Sequence, residues 1–391
     1  MTKPAQQRFH LMAKPASYKC NLKCDYCFYL EKETYYGDSK SKMDEQALEQ
    51  YVASYIAAQP DDIVHFAWQG GEPMMAGLAF FRRAVELQRQ YANGKTITNS
   101  FQTNGVGIDD EWARFFAEHR FLIGISIDGD APLHDAYRIS VNGKPTFERV
   151  KSAIGFLKKY RVEFNTMTVV NDKNWQHGKA TYQLLKSLGS QHMQFIPIVE
   201  AETEPSQLHS LQGTPAIQPF SVPREGYGQF MVEVFDEWRK QDVGQIHIQL
   251  LESVLATWLG YSPGLCIFSE NCGNALVAEA NGDIYACDHF VYPEYKLGNL
   301  DELELAAMVD SPQQRDFGLA KSETLPSTCL SCEFRPLCHG GCPKQRIVDA
   351  GEAYRHNYLC PSYKKLFAHT NDFMKNTVQQ IRQQMHQGGD R

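Results

Sequence analysis

The sequence of 391 residues lacks any apolar run long enough to cross a membrane, and it also lacks a long basic run. A membrane-spanning helix needs about 20 predominantly apolar residues. The segment from Met1 to Lys19 has no continuous apolar stretch of the kind that marks a secretory signal. The net charge of −7 argues against a nucleic-acid footprint. We therefore expect a cytoplasmic protein that binds neither membranes nor nucleic acids.

Sequence patterns of several common enzyme classes are also missing. The chain shows no Ser-His-Asp arrangement, no phosphate-binding loop and no His-Glu-x-x-His motif. Nothing in it therefore indicates hydrolase or kinase chemistry. Four scattered histidines are His65, His134, His192 and His289. We expect them to have structural or supporting roles.

Cysteine is absent from the long middle of the chain, between Cys27 and Cys266, although the sequence contains 11 cysteines. Three lie near the N-terminus, and eight lie between Cys266 and Cys360. A reducing cytosol keeps thiols free, so clustered cysteines without an export signal more often bind metal than form disulfides. Their distribution predicts two separate metal-binding regions.

The first half of the chain alternates short β-rich runs with amphipathic helical patterns. The predicted strands are 9–13, 63–68, 97–102, 122–127, 163–169 and 193–197, and the predicted helices between them are 44–58, 78–91, 110–119, 146–160 and 175–188. This alternation indicates a parallel sheet with crossover helices. Six strands are too few for a closed eight-stranded barrel but suit an open, partial one. Further helices are predicted over 224–240, 246–259 and 362–385.

The first cysteine group has the spacing Cys20-x3-Cys24-x2-Cys27, just after the first predicted strand. Three close thiolates can hold three irons of a 4Fe–4S cube. Without a fourth cysteine nearby, one iron would keep an open position that can bind and activate a substrate. A zinc site is the alternative, although structural zinc sites normally have four ligands.

The second group runs through Cys266, Cys272, Cys287, Cys329, Cys332, Cys338, Cys342 and Cys360. Eight thiolates suffice for two fully ligated 4Fe–4S clusters. Two four-cysteine zinc sites would need the same number, and the spacing alone leaves both possibilities open. From Tyr261 onward the sequence consists of short segments rich in Gly, Pro and Cys, so we expect metal ligation to replace a hydrophobic core there.

The N-terminal cysteine spacing resembles the signature of the radical S-adenosylmethionine (radical SAM) superfamily. The segment Gln69-Gly70-Gly71-Glu72-Pro73, after the second strand, resembles the superfamily's Gly-Gly-Glu-Pro turn. The resemblance implies a partial (β/α)6, TIM-like barrel in which this turn holds the methionyl amino group of the cofactor. Two glycines permit close backbone approach, and a carboxylate suits an ammonium. The cofactor-binding residues that the resemblance implies are Tyr26, Gln69, Gly71, Ser126, Arg138 and Val199.

The C-terminal cysteines resemble the SPASM extension of radical enzymes that modify peptides. The pattern includes a glycine five residues before a cysteine, as Gly282 precedes Cys287, and then a C-x2-C-x5-C-x3-C run with a distal cysteine. The resemblance implies that one auxiliary cluster is held by Cys266, Cys272, Cys287 and Cys342, and the other by Cys329, Cys332, Cys338 and Cys360.

Nearly the whole chain resembles the anaerobic sulfatase-maturating enzymes, including Cys20–Tyr29, Gln69–Pro73, Ser100–Gly105 and Asn281–His289. In that family the aspartate after the Tyr-x-Cys segment serves as the catalytic base, which makes Asp288 the candidate here; a solvated turn aspartate is the alternative. The implied segments are a radical SAM barrel over 1–235, a helical linker over 236–262, a cysteine-rich SPASM domain over 263–370 and a C-terminal helical tail over 371–391.

The resemblance implies that S-adenosylmethionine and three 4Fe–4S clusters convert a Cys or Ser of a sulfatase motif to Cα-formylglycine through a 5′-deoxyadenosyl radical. The implied partners are an unfolded or nascent sulfatase and an electron donor such as flavodoxin or ferredoxin. Two alternatives remain at this stage. One is a related enzyme that forms thioether or carbon–carbon crosslinks in a precursor peptide, and the other is a non-catalytic zinc-binding interaction protein. The motifs do not decide between Cys and Ser or identify the sulfatase, the oligomeric state or the reductant.

Overall fold

The computed structural model describes residues 4–37, 41–203 and 212–388. The strands are β1 (His10–Lys14), β2 (Ile63–Trp68), β3 (Thr96–Thr103), β4 (Leu122–Ser126), β5 (Phe164–Val170), β6 (His192–Pro197), β7 (His247–Ile248), β8 (Ala275–Glu279), β9 (Asp283–Tyr285), β10 (Lys296–Asn299), β11 (Arg346–Val348) and β12 (His356–Asn357). The α-helices are α1 (Glu33–Tyr36), α2 (Glu45–Ala58), α3 (Leu78–Tyr91), α4 (Asp110–Glu118), α5 (Ala131–His134), α6 (Phe147–Lys159), α7 (Gly178–Ser187), α8 (Gly226–Gln241), α9 (Gln249–Leu259), α10 (Leu305–Val309), α11 (Pro312–Glu323), α12 (Ser327–Leu330), α13 (Arg335–Cys338) and α14 (Cys360–Gly388).

The six strands predicted from the sequence are confirmed as β1 to β6, and the longer predicted helices are found as α2, α3, α4, α6, α7, α8 and α14. Asp44 caps α2, because its side chain accepts a hydrogen bond from the backbone N–H of Ala47 at 2.8 Å. The predicted helix over 246–259 begins only at Gln249, since the two residues before it pair as β7. The strands β7 to β12 were not predicted from the sequence.

The chain divides into two compact units, each made of several segments. The first contains residues 1–127, 134–166 and 272–319, and the second contains residues 128–133, 167–271 and 320–391. The sequence boundaries at residues 235, 262 and 370 stay a prediction, and the last three residues of the expected C-terminal tail lie outside the described residues.

The sheet of the first unit places its strands in the order β10-β9-β8-β1-β2-β3-β4. Strands β1 to β4 are parallel to their neighbours, and β8 is also parallel to β1, with Lys14 opposite Glu279. Strands β8, β9 and β10 are joined in antiparallel pairs. Because β8 runs parallel to β1, the carboxyl end of this late strand lies at the same edge as the carboxyl ends of β1 to β4.

Aromatic side chains pack the core of the first unit beneath this sheet. Trp68, at the end of β2, is fully buried and contacts Tyr51 of α2 and Phe81 of α3 edge-on, with ring centroids 5.6 and 5.4 Å apart. Its indole N–H donates to Asn99 Oδ1 at 2.8 Å. Burial of one such side chain contributes about 1.5–3 kcal/mol. This packing fixes the β2 and β3 ends that carry the site.

Helices dominate the second unit. Strands β6 and β7 pair in parallel, and α14 packs closely on α8. Gly228 of α8 has the backbone of Ser362 so near that a Cβ there would lie 2.6 Å from the Ser362 carbonyl oxygen. The hydroxyl of Ser362 accepts from the Gly228 N–H at 2.8 Å. No described helix combines the length and hydrophobicity that a membrane-spanning segment requires.

Candidate active site

The N-terminal cysteine loop follows β1 and is held against the carboxyl ends of its neighbours in the first unit. The amide of Asn104, one residue past β3, donates to Asn21 Oδ1 at 2.7 Å and reaches Cys20 Sγ at 3.6 Å. The Leu22 N–H also points at Cys20 Sγ, at 3.3 Å. Leu22 forms an isolated β-bridge with Ser140. The loop is therefore fixed from two sides.

The glycine-rich turn after β2 packs directly on the segment that leads into the cysteine loop. The Gly71 N–H donates to the Ser17 carbonyl at 2.6 Å, and the Glu72 N–H donates to the Lys19 carbonyl at 2.8 Å. A Cβ on Gly71 would lie 2.3 Å from the Lys19 carbonyl oxygen and 2.5 Å from that of Tyr18. These distances are too short for any side chain, so the close approach requires glycine.

The Glu72 carboxylate is buried and joins this turn to the end of β3. Its oxygens accept hydrogen bonds from the Met74 N–H at 3.0 Å, from the Thr103 hydroxyl at 2.9 Å and from the Asn104 N–H at 2.8 Å. Burial raises the pKa of Glu72 to about 7, and the backbone donors offset part of that effect. Its expected role toward the methionyl amino group stays a prediction, while its contacts fix the turn.

Two of the predicted cofactor-binding residues lie together. The Arg138 guanidinium lies 5.5 Å from the centre of the Tyr26 ring, and both side chains are buried. Tyr26 also contacts Tyr137 edge-on at 5.3 Å. Ser126, at the end of β4, is buried and accepts from the Gln102 amide at 3.2 Å. All five side chains belong to the first unit.

The other predicted cofactor residue of the first unit is Gln69, whose N–H donates to the Ala13 carbonyl at 2.9 Å while its side chain stays half-buried. Val199 follows β6 and is buried in the second unit. The N–H of Ile198, just before it, donates to the Val170 carbonyl at 3.0 Å.

The candidate base, Asp288, lies in the first unit with the cysteine loop. Cys287 precedes a short 3-10 turn over Asp288–Phe290 that follows β9. The Lys14 ammonium lies 2.7 Å from Asp288 Oδ1; the lysine side chain is 2% exposed, and the aspartate side chain is 24% exposed. A buried cation therefore holds a carboxylate that is still partly open to solvent.

Further contacts join the two cysteine segments of this unit. Phe28 contacts His289 edge-on at 5.8 Å. The Lys32 ammonium lies 3.6 Å from the centre of the Tyr292 ring. A cluster of buried side chains fills the space between the segments and consists of Tyr18, Tyr29, Tyr36, Val277, Tyr285 and Val291. Packing of this kind makes the position of Asp288 depend on the N-terminal loop.

Four of the predicted ligands lie near one another in the second unit. Burial, together with the nearby thiols of Cys360, Cys329 and Cys332, raises the pKa of the Cys338 thiol to about 12. The same four cysteines form the predicted second auxiliary set. Cys266 and Cys342 also lie in this unit, whereas Cys272 and Cys287 lie in the first. The assignment of those last four to one cluster stays a prediction.

A buried ammonium braces the Cys266 loop in the second unit. The Lys321 Nζ donates to the carbonyls of Cys266 at 2.7 Å and Ile267 at 3.0 Å, and also to that of Ser269. Arg346 holds the lysine segment in turn, since its guanidinium donates to the Lys321 carbonyl at 2.7 Å. The loop contains no helix or strand, and the buried ring of Phe268 also anchors it through edge contacts with Tyr363 and Phe367.

The cysteines fit iron–sulfur ligation by their chemistry, because soft thiolates are the ligands that such clusters prefer. Burial raises the pKa of the Cys20 thiol to about 12, and the Glu72 carboxylate adds to the shift. Ligation at Cys20 must therefore release a proton. Across the described residues, no three or more His, Cys, Asp or Glu side chains form a group that could hold one metal ion.

Several residues of the site were missed by the sequence reasoning, namely Lys14, Asn104, Glu279 and Lys321. A signal existed for three of them. Lys14 and Glu279 are charged residues that close otherwise mostly apolar strands, and both are buried. A buried charge at a strand end commonly marks a partnered or functional group. Asn104 lies within Ser100–Gly105, one of the segments that carry the family resemblance, whereas Lys321 carried no comparable signal.

Comparison with known proteins first gives the class. Residues 15–185 match the radical SAM superfamily, and residues 266–333 match the SPASM iron–sulfur cluster-binding domain. The fold, the cysteine loop after β1 and the C-terminal cysteines therefore define a radical SAM enzyme with a cluster-binding extension. Its cofactors are S-adenosylmethionine and iron–sulfur clusters, as the sequence predicted.

Full-length similarity then gives the family. A serine-type anaerobic sulfatase-maturating enzyme of Bacteroides thetaiotaomicron is 43% identical over 96% of this chain and 93% of its own length. A cysteine-type enzyme of Clostridium perfringens is 33% identical over 95% of this chain and 99% of its own. A solved structure of native anSMEcpe with bound AdoMet and Cp18Cys peptide matches 96% of this chain and 100% of that chain, with a TM-score of 0.85 and 32% identity. This chain belongs to the anaerobic sulfatase-maturating enzymes.

Proposed function

We propose that this enzyme oxidises a serine in the active-site segment of a sulfatase to Cα-formylglycine under anaerobic conditions. The choice of serine is supported by the 43% identity to a serine-type relative, against 33% to a cysteine-type relative. The sulfatase peptide is expected to bind in an extended, unfolded form, because the target side chain must reach the reacting centre.

One observation carries the assignment of roles. The ammonium of Lys14, the last residue of β1, lies 2.7 Å from Asp288 Oδ1, so the segment after β9 lies beside the end of β1 in the unit that also contains the N-terminal cysteine loop. Asp288 and the Cys20 loop can therefore act on the same substrate side chain. A base and a radical source need this proximity, since both act on one carbon and its oxygen.

The residues would divide the reaction as follows. When bound, S-adenosylmethionine and the three clusters supply the radical that removes one hydrogen atom from the serine Cβ and the acceptor for the electron left behind. Asp288 takes the hydroxyl proton, which leaves a carbon–oxygen double bond. Cys20, Cys24 and Cys27 would hold the N-terminal cluster, and the eight later cysteines the auxiliary two.

Cofactor positioning falls to the first unit. Gly71 lets the turn after β2 pack on the segment before the cysteine loop, while the Arg138 guanidinium and the Tyr26 ring beneath it form a buried pair suited to a carboxylate and an adenine. Buried packing around these groups excludes water that would quench a radical.

The physiological partners extend the proposal. We propose a one-electron donor such as flavodoxin or ferredoxin, and action in the cytoplasm, where thiolate ligands stay reduced.

Anaerobic incubation with S-adenosylmethionine, dithionite and matched serine and cysteine peptides of a sulfatase motif tests the function. The serine peptide is expected to lose the mass of two hydrogen atoms, read by mass spectrometry. Iron analysis should give about 12 irons per chain. A protein with two zincs and no iron, or one that leaves both peptides unchanged while cleaving the cofactor, would contradict the proposal.

The base assignment has its own test. Asp288→Asn is expected to lower formylglycine formation by about 100-fold or more while cofactor cleavage continues. Asp316→Asn is the control, because its side chain is 74% exposed on α11. Normal product from Asp288→Asn would remove Asp288 from the mechanism.

A further inference from the structure

Lys14 is a deeply buried cation beside the proposed base. It closes β1, its side chain is 2% exposed, and its ammonium lies 2.7 Å from Asp288 Oδ1. A buried ammonium is expensive compared with an apolar side chain of similar volume. A lysine is therefore retained at such a position when several groups stabilise its charge or when the charge has a function.

The surroundings of Lys14 hold its ammonium in one place. The ring of Tyr29 lies beneath it, with 4.6 Å between Nζ and the ring centre. The Tyr29 hydroxyl donates to the buried carboxylate of Glu279, which lies opposite Lys14 in the register of β1 and β8. Backbone pairing therefore fixes the backbone of Lys14, the Tyr29 ring and the Asp288 carboxylate fix its ammonium, and Glu279 holds the tyrosine.

One carboxylate oxygen of Asp288 is buried, whereas the rest of the side chain is partly exposed to solvent. Its Oδ1 has almost no accessible surface, although 24% of the side chain is exposed. The accessible surface therefore comes from the other atoms of the side chain. The residue begins a single 3-10 turn, an element too short to fix a side chain by its own hydrogen bonds.

We propose that Lys14 is a positioning residue for formylglycine formation, which holds the Asp288 carboxylate toward the substrate through their ion pair. The Tyr29–Glu279 pair supports this arrangement by fixing the ammonium. The inference rests on the proposed role of Asp288 as the base. It adds a residue that acts through Asp288 and touches neither substrate nor cofactor.

A positioning role for Lys14 can be recognised from how cofactor cleavage and product formation are coupled. Loss of Lys14 should leave generation of 5′-deoxyadenosine intact, because the cysteine loop and the turn at Gly71 keep their own contacts. Formation of product needs the base within reach of the hydroxyl proton. A misplacement of about 1 Å can cost about 100-fold in rate.

The experiment uses the iron-loaded enzyme with a serine-containing sulfatase peptide, and measures formylglycine formed per 5′-deoxyadenosine. Lys14→Met is expected to lower this ratio by about 10- to 100-fold, through kcat with little change in KM for the peptide. Lys14→Arg is expected to recover most of the ratio. Lys14→Gln is measured in parallel, because its amide can still donate a hydrogen bond and should disturb the fold less. It provides a second variant with full iron content if Lys14→Met binds less iron. Lys151→Met on α6, 41% exposed, is the control.

Combination with Asp288→Asn separates positioning from a merely structural role. If Lys14 acts through Asp288, Lys14→Met lowers the residual product ratio of the Asp288→Asn enzyme no further. An additional loss in that background, or an unchanged ratio in Lys14→Met and Lys14→Gln with full iron, would overturn the inference. Full product from Asp288→Asn itself would instead overturn the proposed function.

Discussion

Replacement of Gly71 by alanine is expected to weaken binding of S-adenosylmethionine, because the turn after β2 has no room for a side chain. The added Cβ would lie 2.3, 2.5 and 2.6 Å from three backbone atoms of Lys19 and Tyr18. Ordinary contacts lie at 3.4–4 Å, so the two backbone segments must separate by roughly 1 Å. Overpacking of this kind costs about 1–3 kcal/mol.

The same separation stretches two hydrogen bonds, from the Gly71 N–H to Ser17 at 2.6 Å and from the Glu72 N–H to Lys19 at 2.8 Å. If the cost falls on the binding-competent conformation, affinity drops by about 10- to 100-fold, since about 1.4 kcal/mol corresponds to tenfold. Equilibrium binding of S-adenosylmethionine to the anaerobic, iron-loaded protein measures this loss of affinity. Gly155→Ala is the matched control, because nothing lies within 4 Å of its Cβ on α6. Binding by Gly71→Ala within twofold of the wild type would refute the steric reasoning.

Two further predictions concern stability. Gly228→Ala is expected to destabilise the packing of α8 on α14 by about 1–3 kcal/mol, because its Cβ would meet backbone atoms of Ser362 at 2.6, 2.7 and 3.0 Å; limited proteolysis of α14 measures this, and resistance equal to the wild type would contradict it. The pKa of Glu72 is raised by burial from 4.5 to about 7, so the folded state binds the extra proton and stability falls as pH rises between those values. The loss amounts to about 3 kcal/mol. Glu72→Gln should therefore flatten the dependence of the thermal midpoint on pH in the enzyme without S-adenosylmethionine, and an unchanged dependence would show that Glu72 does not titrate there.

Local signals allowed much of the fold to be predicted. The alternation of apolar runs with amphipathic stretches identified β1 to β6 and the main helices, because periodicity directly reports which face of an element is buried. The start of α2 is equally local, because the side chain of Asp44 accepts a hydrogen bond from a backbone N–H only three residues further on. The pairing of β8 with β1 was not predictable, since parallel pairing between distant segments leaves no trace in either segment alone.

The short strand β7 shows the limit of periodicity. Its two residues lie at the start of an apolar helical pattern, and the sequence predicted one continuous helix from residue 246. The structure ends the strand at Ile248 and starts α9 at Gln249, because Met193 of β6 offers a pairing partner for Ile248. A tertiary hydrogen-bonding partner here overrides the local pattern.

The sequence by itself determined the chemistry of this protein: which thiols are available as ligands, which glycines permit close backbone approach, and which carboxylate follows Cys287. These properties depend on residue type and short spacing. Only the tertiary structure decided that Asp288 shares a unit with the Cys20 loop and that Lys14 and Glu279 meet beneath it. Lys14 and Glu279 lie opposite each other because β8 pairs in parallel with β1. This pairing joins distant parts of the chain through backbone hydrogen bonds, which form with almost any side chains and are therefore not visible in the residue types.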